Sequence, residues 1–592
     1  MNRIAKAILA ITLISFPAVL NAGNISVKKA TSVAESFFLK YGAATRSGST
    51  LKLINNSDII LTRSGEETAP FYIFNRAGGG FVIISGIEAG EPVLAYSLDN
   101  SFGDYNKMPD NLKFWLGLYK EQVDEHRLMG NGVTASERAK WDEALVRTRA
   151  EAPKAIDLQT PDFGQGDPFN RLCPLDSTGQ TVVAGCVTIA AAQIMAFYKY
   201  PKRGTGILPG YEYKGIVVPD FPLDHDYDWD NILPKYQDVN FTDVQANAVA
   251  TLVRDVAFMG QVEFNHSSTT GNTNFTFPNM RIYMGYDKSI LRYPGWNMTQ
   301  EEFKQAILGT LRKGEPVTFS GTSTSGGGHA FVGDGYDEND KILINWGWNG
   351  SSNGYYISGI FGSYTKELIV YTNLKPDFGG EEQFNLQIQN TTLNSVAYTG
   401  IMPQTCNLTK GGTITTKFGA IYNYGFINFK GDLTFAHMDR NGNIKGFMID
   451  TPIAVPELEM KGKFGISTNF KLTIPADIER GDYVEPLFRY SGRTEWCHFY
   501  NALNNEDTVL GTLPLHLRDY TKIKYTKSTG AIALTTMRGS SYTITNADGT
   551  AVRSGKIASD SLSIKLKTYG AGTYTLTITN GDQSISFQIK VA

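Results

Sequence analysis

The sequence predicts an α+β protein over its first 376 residues, followed by two all-β modules. Three observations carry this. The chain has 592 residues, more than one domain comfortably uses. Up to Pro376, helical apolar periods alternate with short strand-like runs. Beyond Pro376, the helical period is replaced by strand-like runs separated by turn residues. Hydrophobic content of 42% with 12% aromatics is that of a globular chain. The net charge of −3 (55 − 58) and the lack of a basic block argue against nucleic acid or an anionic membrane as partner.

Residues 1–22 read as a secretory signal peptide. Arg3 and Lys6 precede an apolar run from Ala7 to Leu20, and cleavage is expected after Ala22. That run is short for a membrane span, and no later stretch is long and apolar enough, so no transmembrane segment is expected in the mature chain. The expected location is secreted or on a cell surface.

Residues 23–154 read as a small α+β unit. Ala30, Val33, Ala34, Phe37 and Phe38 line one face of a helix over Ser26 to Tyr41. Phe71 to Phe74, Gly80 to Ser85 and Pro92 to Ser97 read as strands, and Pro109 to Leu128 as a second, aromatic-rich helix. Val146 to Pro153 is a polar, exposed linker, open to proteolysis.

Residues 155–376 hold the chemistry. Val187, Ala190, Ala191, Ile194, Met195 and Tyr198 recur at helical spacing, Gly185 frees the entry turn and Pro201 ends the pattern. Cys186 therefore sits at a helix N-terminus, where free N–H groups and the dipole favour thiolate and lower the thiol pKa. The competing reading is a small buried core cysteine.

Downstream, Gly326-Gly327-Gly328 precedes a strand from His329 to Val332. A polar turn follows at Asp337 to Asp340, then a second strand over Lys341 to Trp348. A hairpin centred on Asp337 sets His329 opposite Asn345. Cysteine, histidine and asparagine then have the roles of nucleophile, general acid/base and imidazole-orienting group. Trp346 is positioned to shield the His–Asn hydrogen bond from water. The oxyanion needs a donor, for which the Cys186 N–H and the Gln165 side chain are candidates.

The segments Gly164 to Asn170, Gly185 to Met195, Tyr227 to Pro234, Gly328 to Val332 and Asn345 to Trp348 together resemble the streptopain family of bacterial cysteine proteases. They occur in the family's order and at compatible spacing. The resemblance runs from about Asn24 to Pro376. It implies a papain-like fold made as an inactive zymogen, with residues 23–154 as inhibitory propeptide and cleavage between about Arg147 and Gln159. By motif position it implies Cys186 as nucleophile, His329 as general acid/base, Gln165 as oxyanion donor, and Asn345 and Trp346 as supports of the histidine. Phe264 to Asn274 falls where the family has a substrate-cleft loop. Substrates are then proteins or peptides, with no cofactor and no metal.

Residues 377–515 read as an Ig-like sandwich, with strand-like runs at Phe384 to Ile388, Thr413 to Tyr422, Gly431 to Met438, Gly446 to Asp450, Phe470 to Ile474 and Tyr483 to Tyr490. Residues 516–592 form a second β module, in which Tyr574, Leu576 and Ile578 alternate. It resembles a type IX secretion sorting domain, but ends Phe587 to Ala592 where that family often has a basic motif. A second adhesive or structural sandwich is the other reading. His437 and His498 stand alone in sequence and are read as structural. Four cysteines in so long a chain are no disulfide framework. Cys173 and Cys186 are read as unpaired, and Cys406 and Cys497 either pair or are small buried residues.

Two other functions fit parts of this pattern. Acyl transfer to an amine uses the same Cys–His chemistry, but usually with Asp in the place of Asn345. A surface binding protein with a relic protease domain would not need Cys186, His329, Gln165 and Asn345 intact.

Overall fold

A computed structural model describes residues 23–42, 50–61, 67–129, 132–176, 178–295, 300–322, 328–359, 368–381, 385–389, 391–393, 396–398, 401–459, 462–464, 469–499, 513–559 and 561–591. Residues 1–22, expected to be a signal peptide, and Gly326, Gly327, Phe384 and Ala592 lie outside the described residues. Two compact units are formed, one from Met1–Gly285 with Leu308–Tyr364, the other from Tyr286–Ile307 with Thr365–Ala592.

In the first unit, α1 (Val27–Tyr41) is capped by the Ser26 hydroxyl, which accepts from the Lys29 N–H. Its apolar face, with Val33, Ala34, Phe37 and Phe38, is buried as the spacing predicts. It packs on strands β1 (Leu51–Leu53), β2 (Phe71–Arg76), β3 (Phe81–Ser85) and β4 (Val93–Ser97), which form a continuous antiparallel run. Then come α2 (Asp110–Met129) and α3 (Ala135–Ala144). Sequence reading passed over α3, although Thr134 and Glu137 make a reciprocal capping box that the spacing Thr-x-x-Glu announces.

After the linker come β5 (Ala155–Asp157) and α4 (Cys186–Tyr198), then α5 (Asp243–Met259) and strands β6 (Val317–Thr322), β7 (Gly328–Asp337), β8 (Ile342–Asn345) and β9 (Gly354–Tyr356). The order β1-β2-β3-β4-β9-β8-β7-β6 is one sheet, with β5 also on β7. Strand β4 pairs with β9 through Tyr96 opposite Tyr355. The region expected to be propeptide and the region expected to be catalytic therefore share a hydrogen-bonded sheet. Tyr96 stacks on Tyr355 at 5.3 Å, and its hydroxyl donates to Asp337 Oδ2 at 2.8 Å.

A ring of aromatics fastens α2 to that sheet. Trp115 lies 6.0 Å from Trp346, 5.6 Å from Phe331 and 6.4 Å from Tyr356. All four are buried. Such edge-to-face pairs contribute about 0.5–1.5 kcal/mol each beyond the apolar area they cover.

The second unit is mostly β. The strands Leu291–Pro294 and Leu368–Thr372 pair antiparallel within it. One buried cluster runs from Leu386 to Val591, so the segments read from sequence as two modules share a core. The Cys406 thiol lies 3.3 Å from Met537 Sδ, and the Leu408 N–H donates to Asn580 Oδ1 at 2.9 Å, both across the boundary near residue 515. All four cysteines are free, Cys406 buried and Cys497 exposed, so these two are not bridged. The segment 516–592 keeps its expected alternation, with Tyr574, Leu576 and Ile578 buried.

Candidate active site

Cys186 is the first residue of α4. Gly185 before it has φ +88°, and a Cβ there would meet Thr269 at 3.0 Å. Both the turn and the close approach call for glycine. Thr269 is held in turn by donating to the Val183 carbonyl at 2.6 Å. The thiol lies 4.0 Å from the Gly328 carbonyl oxygen.

The expected lowering of the thiol pKa is not what this form of the protein has. Burial pushes the Cys186 thiol up, and the N–H groups of Ala330, Val187 and Cys186 itself only partly oppose it. The helix N-terminus acts in the expected direction, but desolvation outweighs it.

Cys186, His329 and Gln165 line one cavity of about 230 Å³. Ser267 to Thr270 form part of its wall, within the stretch expected to be a cleft loop, and Trp348 is a half-exposed flank. Gln165 is buried, and its carbonyl accepts from the Ala184 N–H at 3.0 Å, tying it two residues ahead of Cys186. The cavity is also lined by Lys107 to Asn111, the segment that leads into the first residues of α2.

The histidine side differs from expectation. His329 faces Gly321 on β6, and Asn345 pairs with Val332 rather than His329. There are two causes. The turn centres on Asn339, with Tyr336 opposite Ile342, and a bulge between Gly333 and Gly335 adds a residue to β7. Gly335 is needed there, because a Cβ would come within 1.9 Å of the Ile156 carbonyl oxygen. Among the described residues no hydrogen bond joins His329 to Asn345.

The His329 ring instead lies 5.4 Å from Phe114 of α2, tilted by 32°. Burial holds the imidazole below its ordinary pKa, with Asp110 pulling it up and Lys113 down. Trp346 is fully buried, and its indole N–H donates to Ser352 O at 3.1 Å. Its ring packs on α2 through Trp115, and its carbonyl accepts from Asn111 Nδ2 at 2.8 Å. The same Asn111 amide reaches Ala330 O at 3.3 Å, so one side chain of α2 holds both strands of the histidine hairpin. Sequence reading missed Asn111 and Phe114. The aromatic run Phe114-Trp115 was visible but does not say what it covers.

The isolated histidines have partners. His437 Nε2 lies 2.7 Å from Asp482, and His498 Nδ1 lies 2.8 Å from Glu485. Among the described residues no group of three or more His, Cys, Asp or Glu is arranged to hold a metal ion.

Residues 163–356 match the Peptidase C10 family, and residues 22–123 match the Spi protease inhibitor family. The chain is 30% identical over 360 residues to the thiol protease/hemagglutinin PrtT of Porphyromonas gingivalis, covering 59% of this chain and 40% of that protein. It is 28% identical over 306 residues to streptopain of Streptococcus pyogenes serotype M1, covering 48% of this chain and 73% of that one. Among solved structures, a prointerpain A fragment of Prevotella intermedia aligns with TM-score 0.44 and 24% identity, over 56% of this chain and 99% of that one. The chain thus spans well under half of PrtT, while residues 377–592 lie beyond both family matches. Residues 163–356 are thus a Peptidase C10, or streptopain-like, domain, preceded at 22–123 by a segment of the Spi protease inhibitor family.

Proposed function

We propose that this chain is a secreted cysteine endopeptidase made as a zymogen, with Cys186 as nucleophile, His329 as general acid/base and residues 23–154 as intramolecular inhibitor. The carrying observation is the single cavity lined by Cys186, His329 and Gln165 and entered by Lys107 to Asn111 of the inhibitor-like segment.

The chemistry follows from these groups. With α2 gone, the thiol opens further to solvent and the His329 ring loses its Phe114 contact. His329 takes the Cys186 proton, and the thiolate attacks the scissile carbonyl carbon. The oxyanion is held by the Cys186 N–H and the Gln165 amide. The C–N bond breaks as His329 returns its proton to the leaving amine. Water, deprotonated by His329, then attacks the acyl carbon and releases the thiol. Asn345 orients the imidazolium through Oδ1, and Trp346 keeps water from that bond. No cofactor takes part.

Residues 1–22 are the export leader in this reading. Among the described residues no helix is long and apolar enough to cross a membrane. Residues 377–515 are an Ig-like module, and 516–592 a sorting or adhesive one.

The test is labelling with the epoxide inhibitor E-64 and peptide mapping, on the full chain and on the chain matured by cleavage in the linker. Label on Cys186 of the matured form alone is expected. Equal label in both forms overturns the inhibitory role of residues 23–154. Absence of label in both, with casein uncut, overturns the enzyme reading.

A further inference from the structure

Residues 154–161 follow the linker, yet they are built into the catalytic sheet. Strand β5 pairs with Gly335 to Asp337, and the Lys154 carbonyl accepts from the Glu338 N–H at 2.8 Å. The Leu158 N–H donates to Asp334 O at 2.8 Å. The Thr160 N–H donates to both oxygens of the buried Asp334 carboxyl group, at 3.1 and 3.2 Å. Asp334 is the residue of the bulge, so the irregularity that shifts the hairpin register also anchors Thr160.

Thr160 and Pro161 then converge on Asn345. Its Nδ2 donates to Thr160 O at 3.3 Å, Thr160 Oγ1 at 3.2 Å and Pro161 O at 3.1 Å. Pro161 O also accepts from Gln193 Nε2 at 2.7 Å, and Gln193 is on α4, two turns beyond Cys186. With Nδ2 fixed, the amide plane of Asn345 is fixed. Its Oδ1 takes only the Gly347 N–H, at 3.2 Å, among the described residues, which leaves a lone pair for an imidazole N–H.

We infer that Thr160 is a positioning residue for Asn345, and that Thr160-Pro161 couples the nucleophile helix to the histidine hairpin. The inference rests on the reading of Asn345 as the group that orients His329. It has a consequence for maturation. The cut falls before Lys154, in the exposed stretch 146–152, because a cut within 154–160 releases the clamp.

The experiment compares Thr160→Val, Thr160→Ser, Asn345→Ala and the Thr160→Val/Asn345→Ala double variant. Each is expressed as the full chain, matured and titrated with E-64, and kcat, KM and thermal midpoint are measured. Loss of one hydrogen bond predicts a roughly three- to tenfold lower kcat for Thr160→Val with KM within about twofold, and near-parental kcat for Thr160→Ser. In the Asn345→Ala background the valine is expected to cost less than about twofold further. An equal loss in both backgrounds, or parental kcat in Thr160→Val, overturns the positioning role and leaves Asn345 untouched. Parental kcat in Asn345→Ala overturns the reading of Asn345 itself. If Thr160→Val does not fold, Thr160→Ala takes its place. N-terminal sequencing gives the second readout. A fully active enzyme beginning at or before Lys154 is expected, and one beginning at Pro161 overturns the proposal.

Discussion

The two halves of the candidate site are in different states. On the cysteine side the parts are assembled, with Cys186 opening α4, Gly185 in its required turn, and Gln165 in the same cavity wall. On the histidine side His329 lies against Phe114 and has no hydrogen bond to Asn345 among the described residues, while the Asn345 amide is already anchored on Thr160 and Pro161. The difference teaches where latency acts. Helix α2 leaves the turn before Cys186 intact and packs its Phe114 ring on His329. The ionisation states agree, since burial favours a neutral thiol and a neutral imidazole, and a buried thiolate–imidazolium pair would be costly to form.

The largest effect comes from removing the assembled half. Cys186→Ala is expected to abolish peptide hydrolysis by roughly 10⁴-fold or more in the matured form. The thermal midpoint of the full chain should hardly move, since a small side chain is replaced by a smaller one. Residual hydrolysis near parental level would show the nucleophile to lie elsewhere.

The next effect comes from loosening the occluding half. Trp115→Ala removes the buried ring around which Phe331, Trp346 and Tyr356 pack, at a cost of about 3–5 kcal/mol. That shifts the docking of α2 by roughly 10²-fold or more. E-64 should then label Cys186 in the uncut chain, and Asn111→Ala should act in the same direction by a smaller factor. A variant that unfolds without gaining label would show that the ring stabilises the fold without gating the site.

The same contrast explains how much was legible in the sequence. Strand and helix positions around Cys186 follow from local patterns, because a 3.6-residue apolar period and a turn glycine are written in consecutive residues. The pairing of His329 with Asn345 was drawn from symmetry about Asp337. It failed because register depends on a bulge, and the bulge depends on β5, which lies some 180 residues earlier in the chain. Asn111 and Thr160 escaped for the same reason. Their partners, Trp346 and Asn345, are more than 180 residues away, and no local period marks an amide that bridges two strands. The shared core after residue 386 was also hidden, since alternation tells which face is buried but not against what.

A smaller effect lies in the pH dependence of alkylation. With the thiol pushed up by burial, the uncut chain should react with iodoacetamide only at pH above the usual thiol range of about 8.5. After α2 is removed, the helix N-terminus and His329 should extend the reaction below neutral pH. Identical pH profiles for the two forms would mean that burial by α2 does not control the thiol.

The smallest effect tests the clamp that joins the halves. Asp162 follows Pro161, and its Oδ1 accepts from Asn353 Nδ2 at 2.8 Å. Burial, with help from Asp157, pushes its carboxyl up to about 6, against Lys235 and Asn353. A folded-state pKa above the unfolded value means that the folded chain binds the extra proton between pH 4 and 6. Stability from this group is therefore greatest below about pH 4, falls as pH rises through 6, and is level above. Asp162→Asn removes that dependence and should stabilise the protein at neutral pH by at most about 3 kcal/mol. Asp334 is also raised well above its ordinary value by burial, so some slope remains in the variant and the difference between the two curves is the readout. Thermal midpoints of parent and variant that run parallel from pH 4 to 7 would show that Asp162 ionises as readily in the fold as in the open chain, and the clamp would then bear no electrostatic strain.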